Sequence, residues 1–275
     1  MLFHCGHFQF DLSRPLVMGI VNVTPDSFSD GGQHLRREAA LAHARQLIAE
    51  GADMLDIGGE STRPGAQPVS AQQELDRVLP VIEGLRGATV PISIDSRKPE
   101  VMRAAIAAGA QMVNDIDALQ DATAMHAVAS SNVAVCLMHK QGDPQTMQEQ
   151  PRYRNVTVEV SAFLRGRIAA AEAAGIRRNR IVIDPGFGFG KTLEHNLTLL
   201  REFGSLTGLG VPVLAGLSRK SMLGALTGQD VAQRLPASIA AALIAVQRGA
   251  AIVRVHDVRA TVDALKILNA VNGIL

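Results

Sequence analysis

One pattern constrains this chain above all others: a short β-branched run, a polar loop and an Ala-rich stretch with helical spacing, repeated along its length. Such repeats mark strand-crossover-helix units. Eight strands can be read, at residues 16–22, 54–57, 91–95, 112–115, 133–138, 180–184, 213–216 and 252–255. Helical stretches lie between them, at 36–50, 71–86, 99–108, 156–174, 236–247 and 259–271. Several stop at a glycine, as at Gly51, Gly109, Gly175 and Gly249, where a left-handed cap is wanted. Eight strands alternating with helices in about 250 residues predict an α/β fold of the (β/α)8 TIM barrel type, because a doubly wound sheet usually stops near six strands. The preceding segment FHCGHFQFDL alternates around Gly6 and predicts a short N-terminal β-hairpin plugging the bottom of the barrel. The expectation is one domain over 1–275, with 1–14 as the hairpin appendage.

Composition narrows the partners. Lys plus Arg is 27 and Asp plus Glu is 26, a net charge of +1, too balanced for gripping nucleic acid by phosphate neutralisation. No apolar run approaches the ~20 residues of a membrane span. Two cysteines, Cys5 and Cys136, cannot staple a chain this long, and the first residues lack a signal peptide's basic and apolar regions, so a reducing cytoplasm is the expected compartment.

The strand ends are where packing ceases to explain the sequence. A barrel strand has no packing reason to end in a carboxylate, amide or guanidinium. This chain does so repeatedly: Asn22, Asp56, Asp95 with Arg97 and Lys98 behind it, Asn114 with Asp115, Asp184, the run from Ser218 to Ser221, and Arg254, His256 and Asp257. Such residues converge on one pocket at the C-terminal face. Asp56 and Asp115 read instead as braces for neighbouring backbone. Three long loops, 23–35, 58–70 and 139–154, lie on the same face.

Charge divides the pocket in two. The eighth strand lies beside the first in a closed barrel, so Arg254 and His256 face Asn22, and the loop bearing Ser61, Thr62 and Arg63 arrives from the second strand. Two guanidinium groups and an imidazole suit a phosphate or diphosphate, with Asn22 a hard oxygen ligand for a magnesium ion that the anion helps to hold. The second sub-site, Asp95, Asn114, Asp184 and Lys220, suits a flat heterocycle: a carboxylate accepts two hydrogen bonds from a guanidine-like edge, an amide meets a mixed edge and a lysine donates to a ring carbonyl. The lesser reading of Lys220 is an exposed lysine opening a helix, since the preceding Ser218 also looks like a helix cap.

Some motifs mislead. DPGFGFGKT looks phosphate-binding, but a P-loop needs glycine where Pro185 stands, and the run follows a sixth barrel strand. His4, Cys5 and His7 sit on the hairpin, away from the pocket, and Cys136 lies mid-strand as a small hydrophobe.

With these residues assembled, the chain resembles the dihydropteroate synthases of bacterial folate synthesis over nearly its full length. The motifs are MGIVNVTPDSFSDGG (18–32), DIGGESTRPGA (56–66), ISIDSRKPEV (92–101), VNDI (113–116), IDPGFGFGKT (183–192), GLSRKSMLG (216–224) and VRVHDV (253–258). The resemblance implies joining of 4-aminobenzoate to the diphosphate ester of 6-hydroxymethyl-7,8-dihydropterin, with release of diphosphate. By motif position it puts the pterin on Asp95, Asn114, Asp184 and Lys220, and the diphosphate and its Mg2+ on Asn22, Thr62, Arg63, Arg254 and His256. It lines the aminobenzoate slot with Phe28, Thr62, Pro64, Phe189, Lys220 and Ser221, where sulfonamides would compete. Asp95, Lys220, Arg254 and His256 carry the chemistry, with Asp30 on the first long loop steadying a pterin methylene cation or taking the amine proton. The resemblance also implies a homodimer, for which Ala-rich late helices such as 236–247 offer flat faces. The rival readings are a pterin-dependent methyltransferase barrel, which has no use for a diphosphate clamp, and a catalytically silent pterin-binding paralogue.

Overall fold

The computed structural model describes residues 1–24, 33–61, 67–143 and 145–273. The chain opens with β1 (Leu2–Cys5) and β2 (Phe8–Asp11), an antiparallel hairpin turning at Gly6. There follow β3 (Leu16–Asn22), α1 (Gln33–Ala49), β4 (Met54–Gly58), α2 (Ala71–Gly84), β5 (Ile92–Asp95), α3 (Pro99–Ala108), β6 (Met112–Asp115) and α4 (Ala122–Ala129). The second half contains β7 (Ala134–Met138), α5 (Val156–Ala173), β8 (Ile181–Asp184), α6 (Leu193–Arg201), α7 (Gly204–Thr207), β9 (Leu214–Ala215), α8 (Ser221–Thr227), α9 (Leu235–Gln247), β10 (Ile252–Val255) and α10 (Val258–Val271).

The strands β3 to β10 pair in parallel in the order β8-β7-β6-β5-β4-β3-β10-β9. A parallel bridge between Ile183 and Val213, with the Ile183 N–H donating to the Pro212 carbonyl at 3.0 Å, joins the two ends. The expected eight-stranded α/β barrel and its hairpin are both present. Strand limits differ by a residue or so, most at β9, where Pro212 before it and Gly216 after it leave two ladder residues.

Side-chain alternation along each strand builds two cores. Val17, Val21, Leu55, Ile57, Ile94, Val113, Leu137, Ile183 and Val255 face the helices and join their apolar stripes in one cluster. Leu16, Met18, Met54, Met112, Ala134, Cys136, Val182, Leu214 and Ile252 turn inward and meet Phe3 and Cys5 of the hairpin, both fully buried. The hairpin therefore plugs the N-terminal end of the barrel. The opposite end is left to polar groups.

The helices on that end start with local caps. Ser70 and Gln73 form a capping box on α2, Asp121 accepts from Thr123 and Ala124 at the start of α4, and Asn155 caps α5. Each fixes where a loop on that end stops and regular structure resumes.

Candidate active site

The parity that turns Met54, Met112, Val182 and Ile252 inward also turns Asp56, Asn114, Asp184 and Arg254 inward, one pleat nearer the open end. Asn22, Gly58, Asp95 and Asn114 lie side by side across β3 to β6, since Asn22 registers with Gly58, Gly58 with Asp95 and Asp95 with Asn114. The centre of the group is Arg254. Its Nε donates to Asp56 Oδ2 at 2.5 Å and its Nη2 to Asp95 Oδ2 at 2.7 Å. Asn114 Nδ2 donates to the same Asp56 oxygen at 2.9 Å, which fixes the amide and leaves its carbonyl for a ligand. Asp56 is wholly buried, and its other oxygen has no partner among the described residues.

This corrects one reading of the sequence. Asp56 does not brace backbone and does not end its strand; it lies mid-strand in β4 and holds two side chains of the site. Asp115 does brace backbone, accepting from the N–H groups of Asp117 and Leu119 at 2.8 and 2.7 Å. Arg254, expected on the anion side, also reaches Asp95 on the heterocycle side, so the two expected sub-sites share a side chain.

Asp184 stands across the barrel. Its Oδ1 accepts the Gly186 N–H at 2.7 Å, while its Oδ2 lies 3.6 Å from where a Cβ on Gly216 would stand. A Cβ on Gly58 would likewise sit 3.7 Å from Asp95 Oδ2 and 3.9 Å from Asn22 Oδ1. Two glycines thus keep space beside two carboxylates, as a flat ring requires. Burial pushes the Asp95 and Asp184 carboxyls above their usual range, against the pull of Arg254 on the first and the Gly186 N–H on the second. Burial works against the Arg254 charge, yet Asp56 and Asp95 more than offset it and hold the guanidinium protonated. Set against Arg254 and Lys220, the three carboxylates make a pocket rich in acceptors.

Lys220 takes the N-cap position of α8, with its Nζ 4.3 Å from the centroid of the Phe189 ring. Phe189 packs on Ile116, Met138 and Met147. Ser218 does not cap α8. Its hydroxyl lies 3.0 Å from His256 Nδ1 and accepts the His256 backbone N–H at 3.2 Å. Beside it Arg219, with a left-handed φ of 58°, forks onto Asp257 at 3.0 and 2.6 Å. The loop after β9 is therefore tied twice to the end of β10, which sets His256 beside Ser218. Ser221 is exposed at the first turn of α8. Asn22 is half-buried at the end of β3. Phe28, Asp30, Thr62, Arg63 and Pro64 lie outside the described residues.

Two charged residues behind the site act on loops. Lys98 pairs with Glu60 at 2.7 Å and with the buried Glu74 at 2.5 Å, and Glu60 also accepts the Val69 N–H at 3.2 Å, so both ends of the loop after β4 are pinned. Lys191, the lysine that a P-loop would present to phosphate, is only 2% exposed and donates to the Phe189 carbonyl at 3.0 Å.

A parallel barrel with an acceptor-rich slot and a guanidinium at its mouth defines a pterin-binding enzyme, and residues 18–256 match the pterin binding enzyme family. The chain is 52% identical to the dihydropteroate synthase of Neisseria meningitidis serogroup C over 274 residues, covering 98% of this chain and 97% of that one. Xanthomonas albilineans dihydropteroate synthase has been solved with 4-aminobenzoic acid (55% identity, TM-score 0.94, covering 100% of this chain and 99% of that one). The same enzyme has been solved with 7,8-dihydropteroate (53% identity, TM-score 0.91, covering 100% of both chains). Yersinia pestis dihydropteroate synthase has been solved with a sulfonamide drug (47% identity, TM-score 0.94, covering 99% of this chain and 100% of that one). The chain belongs to the dihydropteroate synthases, which are transferases.

Proposed function

We propose that this chain condenses 4-aminobenzoate with (7,8-dihydropterin-6-yl)methyl diphosphate to give 7,8-dihydropteroate and diphosphate, with the pterin held by Asp95, Asn114, Asp184 and Lys220. The observation that carries the assignment is the Arg254 guanidinium shared by Asp56 and Asp95 at the mouth of an acceptor-rich slot. Asp184 and Asp95 accept from the ring's amino and N–H groups, Asn114 offers its carbonyl, and Lys220 donates to the ring oxygen. The diphosphate goes to Arg254, His256 and Asn22, and to Thr62 and Arg63 on the loop pinned by Glu60.

The residues present suit magnesium brought by the substrate. Asn22 supplies one neutral oxygen, and no cluster of three or more His, Cys, Asp or Glu side chains among the described residues could cage a metal. When bound, the ion neutralises charge on the diphosphate. An arylamine is already a neutral nucleophile at pH 7, so the difficult step is departure of the diphosphate. Arg254, Arg63 and His256 take up the charge developing on the leaving oxygen. The reduced pterin spreads the positive charge left on its methylene carbon, in the negative field of Asp95 and Asp184. The amine then attacks that carbon, with Asp30 the residue assigned by motif position to take its proton. Phe28, Pro64, Phe189 and Ser221 line the aminobenzoate slot, and Ser221 donates to the carboxylate. Sulfonamides present the same aryl amine and compete for that slot.

Free, buried Cys5 and Cys136 suit a reducing cytoplasm. Among the described residues no helix is long and apolar enough to cross a membrane. The Ala-rich α9, with Ile244 36% exposed, supports pairing of two copies.

The resemblance assigns Phe28 and Pro64, on the long segments after β3 and β4, to the aminobenzoate slot, so the slot should be complete only when diphosphate is bound. Calorimetry with magnesium diphosphate present is expected to give tight 4-aminobenzoate binding, and without it almost none. Chelating the magnesium should abolish the diphosphate titration as well. Equal 4-aminobenzoate affinity in all three titrations would refute this account of the slot.

A further inference from the structure

The motif DPGFGFGKT holds a buried lysine, Lys191, that the reaction does not use. Lys191 Nζ lies 3.0 Å from His139 Nδ1, 3.0 Å from the Phe189 carbonyl and 3.4 Å from the His139 carbonyl. Burial lowers its pKa to about 7, and either form of the nitrogen keeps at least two N–H donors. His139 is itself buried, and burial together with Lys191 lowers its pKa to about 3, so the imidazole is neutral and presents its Nδ1 to the Lys191 amine. Lys191 is thus a peg between the loop after β7 and the turn after β8.

That turn is clasped from both sides. Gly186 and Gly190 have left-handed φ values of 68° and 63°, and a Cβ on either would collide with the carbonyl oxygens of His139 and Gln141 respectively. Tyr153 donates to the Gly190 carbonyl at 2.9 Å, and Gln148 Nε2 to that of Gly188. Asn196 of α6 accepts the Gly188 N–H at 2.8 Å. The turn carries Phe189, whose ring lies 4.3 Å from Lys220 Nζ. Burying an amine is costly, and a methionine of similar shape would fill the space, so packing alone gives no reason for lysine here.

We infer that Lys191 is a positioning residue for the aminobenzoate slot: it holds the backbone of Phe189 so that the ring faces Lys220. The inference rests on the assignment of Phe189 and Lys220 to that slot. It is tested by steady-state kinetics and thermal unfolding of the full chain. Lys191→Met is expected to raise KM for 4-aminobenzoate about 10-fold, and Lys191→Gln, which keeps two donors on a shorter arm, about 3-fold. KM for the dihydropterin diphosphate should stay within about 2-fold, while Lys191→Met should melt at a lower temperature than Lys191→Gln because it leaves the buried Phe189 carbonyl and His139 Nδ1 without a donor. If only the Gln variant folds, its selective rise in KM reads the same way. Unchanged aminobenzoate KM in a folded variant, or equal rises in both KM values, would overturn the positioning role. Phe189→Ala separates the two levels. If it raises the aminobenzoate KM while Lys191→Met does not, only the positioning inference fails; if it leaves that KM unchanged, the slot assignment fails and the inference with it.

Discussion

Arg254→Ala is expected to lower turnover about 10²-fold or more, the scale of removing one preorganised donor from a transition-state site. Pterin affinity should fall with it, by about 10-fold, or ~1.4 kcal/mol. The coupled loss follows from the geometry: the guanidinium that meets the departing diphosphate also carries Asp56 and Asp95, at 2.5 and 2.7 Å. Removing it leaves two buried carboxylates with an unneutralised charge. Asp95, already pushed up to about 7 by burial in spite of Arg254, should rise further. The sign of the stability change follows. A carboxyl whose folded pKa exceeds its unfolded value of about 3.9 contributes stability that is present below about pH 4 and is lost as pH rises through the folded value. The variant should therefore melt at a higher temperature at pH 6 than at pH 8, with the gap larger than in the unaltered chain. Arg254→Lys should restore little, because a point charge cannot span both carboxylates. Full turnover in a folded Arg254→Ala protein would remove Arg254 from the reaction.

Asp184→Asn is expected to weaken pterin binding by about 2 to 4 kcal/mol, or roughly 30- to 1000-fold. The structure makes the direction of the substituted amide plain. Asp184 Oδ1 accepts the Gly186 N–H at 2.7 Å, and an asparagine must keep its carbonyl there to hold the turn. Its NH2 group then replaces Oδ2 in the gap beside Gly216, donor against the donor edge of the pterin. The fold should survive, since the turn keeps its hydrogen bond. Isothermal titration with a pterin lacking phosphate reads the change, and unaltered affinity would place the heterocycle elsewhere.

Much of this site was legible in the sequence because period-two alternation and strand order are local and robust. Asn22, Asp95, Asn114, Asp184 and Arg254 are gathered at one end of a barrel by strand order and alternation alone. The same alternation, applied further, separates the two aspartates that strand-end reading left together. Asp56 shares parity with Met54 and Gly58 and points inward, whereas Asp115 shares parity with Val113 and points out to the turn it braces. What the sequence does not show is set by long-range pairing. Arg254 and Asp56 are 198 residues apart, so nothing local says that an anion clamp would lean on a pterin carboxylate. Ser218 looks like a cap because it precedes a helix by three residues, and only the approach of β10 gives its hydroxyl to His256. The turn after Asp115 carries left-handed φ values at Ala118 and Leu119, with no glycine to announce it.

The most direct measurement of the central claim is diphosphate release by the purified chain, given magnesium and the dihydropterin diphosphate, with and without 4-aminobenzoate. With 4-aminobenzoate, diphosphate should appear in step with 7,8-dihydropteroate, one for one, and a sulfonamide should suppress both. Without it, release should be far slower, because the methylene cation has no amine to trap it and returns to the diphosphate. Absence of diphosphate release when both substrates and magnesium are present would contradict the account.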